Sequence, residues 1–205
     1  MASLYPAKEK NLEFIATLRA KGVLEDLQEG EFPSEFLLGD QFCCCTDCDQ
    51  FDDLYSHHRA TSGHRRHGPI ALYGGVLLIP DEIGDPQGLH ILNNLWLGYS
   101  LNKGRAIVLV THLPCAWSRM HKLTHADVVY LGGKAKSAVI DYFDQRIAEE
   151  PQHGVPRPNV MVHCHIDHGM LGDERPRRRT YHVNRHQLNN VIHVAQFNGE
   201  LTVGK

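Results

Sequence analysis

Ala106-Ile107-Val108-Leu109-Val110-Thr111-His112-Leu113-Pro114-Cys115 is the stretch on which the fold turns. Its first six residues are apolar or β-branched without a break, which reads as a buried strand rather than a half-exposed one. That strand carries His112 and Cys115 at its carboxyl end. An earlier apolar run, Phe42-Cys43-Cys44-Cys45, leads in the same way into Cys45-Thr46-Asp47. Two thiolates and one imidazole form a soft nitrogen and sulfur set that suits Zn²⁺, and three protein ligands leave a fourth position open.

The flanking pattern alternates strands with helices. Residues 8–29 place Leu12, Ile15, Leu18, Val23, Leu24 and Leu27 at helical spacing, predicting an amphipathic helix or two. A first strand is expected over 35–45 and a second between Pro69 and Pro80, interrupted or followed by Gly74-Gly75. Asp85-Pro86 opens a helix with Leu89, Leu92, Leu95, Trp96 and Tyr99 on one face, closing near Gly104. A further helix is expected from Lys134 to Glu150, stopped by Pro151, then a strand from Asn159 to Ile166. Residues 172–179 read as an arginine-rich loop, with late strand pieces at Tyr181-His182-Val183 and Val191 to Phe197. The prediction is an α/β fold, a mainly parallel sheet flanked by helices on both faces. Residues 1–34 are expected to form a helical arm and 35–205 a zinc-binding domain. In such sheets ligands collect beyond the carboxyl ends of the strands, where both cysteine segments fall.

Composition narrows the function. The chain has 205 residues, 42% hydrophobic and 22% charged, enough for one domain with a full core. A net charge of −3 gives no ground for a nucleic-acid or membrane-surface partner. The start, Met1-Ala2-Ser3-Leu4-Tyr5-Pro6, lacks the pattern of a secretory signal, and no apolar run reaches the roughly 18 residues of a membrane span. Four of the six cysteines (Cys43, Cys44, Cys45, Cys48) are crowded together, unlike a disulfide framework, so a reducing cytoplasm is expected. Fifteen histidines stand out, including the loop group His57, His58, His64 and His67 and the strand pair His163 and His165. A solvated loop is the plainer reading of the first group, and core or subunit packing of the second. Strand register leaves Cys43 or Cys44 as alternatives to Cys45. Cys43 and Cys45 share a face, and the Asp that follows at 47 favours Cys45.

The two segments together resemble the β-class carbonic anhydrases, which carry Cys-x-Asp-x-Arg after the first strand and His-x-x-Cys after a later one. Cys45-Thr46-Asp47 matches the start of the first motif, and His112-Leu113-Pro114-Cys115 the whole of the second. Val160 to Gly169 is similar to the family's late strand, so the resemblance spans roughly 35–170. It departs at Asp49, where the family has Arg, and in the His- and Arg-rich stretch that follows; Arg59, Arg65 and Arg66 are the nearest cations to take that role.

The resemblance implies Zn²⁺ on Cys45, His112 and Cys115, with Asp47 as the catalytic group that orients the bound water. It implies reversible hydration of carbon dioxide to bicarbonate by a zinc-bound hydroxide, in a homodimer or higher homo-oligomer. Hydrolysis of carbon disulfide or carbonyl sulfide at the same site is one alternative. A non-catalytic zinc-stabilised assembly module is another.

Overall fold

The computed structural model describes residues 8–26, 40–45, 67–80, 85–102, 106–170 and 176–184. Helix α1 (Lys8–Ala20) ends at a turn in which Gly22 takes φ +68, and β1 (Leu24–Asp26) follows. Then come β2 (Asp40–Cys45), β3 (His67–Leu72), a 3₁₀ turn (Gly75–Leu78) and α2 (Gln87–Asn102). Strand β4 (Ala106–Leu113) leads into the short α3 (Ala116–Met120) and the long α4 (His125–Glu149). Strands β5 (Asn159–Met170) and β6 (Pro176–Val183) complete the described chain.

One six-stranded sheet runs in the order β1-β6-β5-β4-β2-β3. The block β3, β2, β4 and β5 is parallel, and β6 pairs antiparallel with both β5 and β1. From β2 the chain goes to β3 on one side, and from β4 it goes to β5 on the other. Neighbouring β2 and β4 therefore bound the topological switch point, where a crevice opens beyond the carboxyl ends of an open α/β sheet.

Every residue of β4 is buried, as its unbroken apolar run requires. Ile107, Leu109 and Leu113 join the main core with Val160, Val162, Ile166, the α2 residues Ile91, Leu95 and Tyr99, and the α4 residues Val128, Leu131 and Phe143. Trp96 and Tyr99 of α2 each meet the edge of Phe143 at 5.3 Å between ring centroids, which locks α2 to α4. The alternate residues Cys44, Val108 and Val110 form a smaller cluster with Ala71 and Met161. Phe14, Ile15 and Leu18 of α1 belong to the main core.

The structure departs from the sequence reading in several places. Residues 24–26 are an edge strand, not helix, because Leu24 to Asp26 pair with Val183 to Tyr181. Leu89 is 59% exposed, and Ile91 takes the inward position expected of it. Helix α4 begins at His125, nine residues before the expected Lys134, under a capping box in which Thr124 and Asp127 satisfy each other's backbone N–H. Residues 176–179, expected as loop, are the first half of β6 and pair with β5. The expected strand at Val191 to Phe197 lies outside the described residues.

Candidate metal centre

Cys45 is the last residue of β2, His112 the penultimate residue of β4, and Cys115 the N-cap of α3. Their ligand atoms all lie within 4.8 Å of one another, and all three residues are buried. Zinc bonds of about 2.0–2.3 Å at tetrahedral angles set ligand atoms about 3.4–3.8 Å apart, so a small contraction closes the group on one ion. Two sulfurs and one imidazole, with no carboxylate among them, are a donor set that fits a borderline-soft divalent metal. Among the described residues this is the one group of three or more such ligands.

The orientation of each donor has a local cause. His112 Nδ1 lies 2.9 Å from the Pro114 carbonyl oxygen. That oxygen only accepts, so Nδ1 carries the hydrogen and the lone pair of Nε2 is left for a metal. Cys115 has extended backbone (φ −117, ψ 126), and its Sγ accepts from the Ser118 N–H at 3.4 Å. The Ser118 hydroxyl in turn donates to the Cys115 carbonyl at 2.9 Å, fixing the first turn of α3. Cys45 Sγ accepts from the Gly74 N–H at 3.2 Å, across the gap between the ends of β2 and β3.

These contacts separate the cysteines chemically. The Cys115 thiol is pulled well below the usual range, chiefly by its hydrogen bond with Cys45. Burial opposes that shift, while His112 and the Ser118 amide add to it. Cys43 shares a core face with Cys45 but is pushed up to about 12 by burial. Burial likewise pushes Cys164 up to about 11, against the opposing pull of Thr111 and His112. Both remain neutral thiols at ordinary pH, and Cys44 lies on the opposite face of β2. Of the three neighbouring cysteines, Cys45 is the one whose sulfur lies with His112 and Cys115.

Asp47 lies outside the described residues, as do Cys48, Asp49 and the histidines and arginines from His57 to Arg66. His163 and His165 are buried on β5; His165 pairs in register with His112, and His163 packs its ring against His182 at 5.8 Å. The groups that orient the ligands escaped the sequence reading because they are backbone groups: the Gly74 and Ser118 amides and the Pro114 carbonyl. The one visible signal was the pair Gly74-Gly75.

No protein-family model matches the chain, and no curated protein resembles it closely enough to count as a relative. Two solved structures similar to it are single-site mutants of CafD, a β-carbonic anhydrase of the filamentous fungus Aspergillus fumigatus. Each is 17% identical, with TM-scores of 0.43 and 0.44, covering 78% of this chain and 99% and 98% of the fungal chain. Likeness of that degree carries no weight for the site, which stands on its own geometry.

Proposed function

We propose that this chain holds one zinc ion on Cys45, His112 and Cys115 and catalyses the reversible hydration of carbon dioxide to bicarbonate. The observation that carries the reading is the convergence of these three buried donors at the switch point of the sheet. Bound there, zinc supplies a Lewis acid that makes water nucleophilic near neutral pH. The rest is the work of the chain. The Pro114 carbonyl holds the proton on His112 Nδ1, the Ser118 and Gly74 amides steady the two sulfurs, and burial keeps bulk water from the donors. Asp47 follows Cys45 by two residues, within about 7 Å of chain, and is the group proposed to orient the attacking water.

The fourth residue of the sequence after Cys45 favours a second reading. Asp49 stands where a cation would hold Asp47 ionised and in place, which suits a zinc-stabilised assembly module without turnover. A homodimer and a reducing cytoplasmic setting belong to the same proposal. Among the described residues no helix is long and apolar enough to cross a membrane. Stopped-flow carbon dioxide hydration on protein carrying one equivalent of zinc decides between the two readings. Turnover above buffer supports the enzyme, and a rate equal to buffer at full metal occupancy supports the module. Carbonyl sulfide and carbon disulfide belong in the same substrate panel.

A further inference from the structure

We infer that Gly74 is a positioning residue for the metal site, its backbone N–H stabilising and aiming the Cys45 sulfur. The inference rests on the metal-site reading above and not on carbon dioxide turnover. Cys45 is 4% exposed, so its sulfur is largely withdrawn from water, and a buried thiolate needs hydrogen-bond donors from the protein. The Gly74 N–H supplies one at 3.2 Å.

Three features hold that amide in place. Gly74 has φ +79, in the region that favours glycine. A Cβ at this position would lie 2.8 Å from Trp117 Cε2 and 3.0 Å from Leu78 Cδ2, so the indole and the 3₁₀ turn close over the bare α-carbon. Gly75 also has positive φ, and a Cβ there would lie 2.5 Å from the Cys44 carbonyl carbon and oxygen and 2.6 Å from the Cys45 nitrogen. Gly75 thus lies directly on the Cys44–Cys45 peptide. It ties the chain leaving β3 to the ligand that ends β2.

Cys115 receives the equivalent contact from the Ser118 amide at 3.4 Å. Each sulfur of the site accordingly accepts a backbone N–H, Cys115 from a helical turn and Cys45 from a glycine of positive φ. A donor to a metal-bound thiolate lowers its electron donation and fixes the lone pair it presents to the ion.

The test replaces the Gly74 amide by an ester, introducing glycolic acid at position 74 of the full chain. This removes the N–H and leaves backbone and side-chain space unchanged. Competition with a zinc chelator should show about 10–100-fold weaker zinc binding. In the Co²⁺-loaded protein the sulfur-to-metal charge-transfer band should move to lower energy. Zinc affinity within about twofold of the parent, with an unmoved band, overturns the inference.

Should the ester variant fail to fold, the parent protein loaded with 113Cd²⁺ decides the matter. A through-bond correlation between the Gly74 amide proton and cadmium supports the contact. Its absence, when Cys45 itself correlates with the metal, overturns it. Failure of carbon dioxide hydration with both signatures present would count against the proposed reaction alone.

Discussion

The hydrogen bond from His112 Nδ1 to the Pro114 carbonyl leaves the Nε2 lone pair of this buried histidine available, which the proposed metal site requires. Removal of Cys115 breaks the set. Cys115→Ala is expected to lose stoichiometric zinc and, because metal binding and folding are linked, to lower the melting temperature of the zinc-loaded protein. Metal analysis and thermal unfolding check both. Asp47→Ala should keep its zinc and lose most turnover; full activity would remove Asp47 from the reaction.

The thiols also set a pH dependence for the metal-free protein. The lowered Cys115 thiol contributes stability that is present above its ordinary value near 9 and is lost as pH falls toward about 5. The raised Cys43 and Cys164 thiols contribute stability that is present below 9 and is lost as pH rises toward about 12 and 11. Urea unfolding of the metal-free protein should therefore show the combined contribution of these three thiols at its greatest near pH 9. Cys115→Ser should flatten the acidic side of that curve between 5 and 9. An unchanged slope would contradict the thiolate assignment.

At the scale of elements, α4 shows how packing overrides local signals. The sequence reading starts this helix at Lys134, directly after Gly132-Gly133, whereas the observed helix runs through both glycines. In the structure a Cβ on Gly132 would lie 3.1 Å from Thr111 Cγ2 and 3.4 Å from Val162 Cγ1, so this glycine lets α4 approach β4 and β5. Gly132→Leu is expected to destabilise the fold by about 1–3 kcal/mol through overpacking, read by chemical denaturation. A neutral result would contradict that close approach.

The arginines of 176–179 hid the first half of β6 for a related reason, since its strand conformation comes from pairing with β5 and not from an apolar pattern. By contrast β4, α2 and the end of β2 were legible, because a continuous apolar run, a helical period and a Cys-rich apolar run each leave a local trace. The Gly74 amide left only the indirect trace of the pair Gly74-Gly75, as a backbone donor itself looks the same at every position.

Across the whole molecule, the candidate metal site depends on strand order. Chain order alone does not say that β2 and β4 are neighbours; register pairs such as Phe42 with Val108 establish it. Given that adjacency, the ends carrying Cys45 and His112 come together at the carboxyl edge of the sheet. The candidate ligand residues stand at strand ends in the sequence pattern, whereas their meeting is a property of the completed sheet.

Zinc-edge X-ray absorption on the purified protein, with metal content measured on the same sample, tests this most directly. The expected spectrum has one zinc per chain with two sulfur neighbours at about 2.3 Å and nitrogen or oxygen at about 2.0 Å. A protein that takes up no zinc, or holds it without sulfur, would contradict the account.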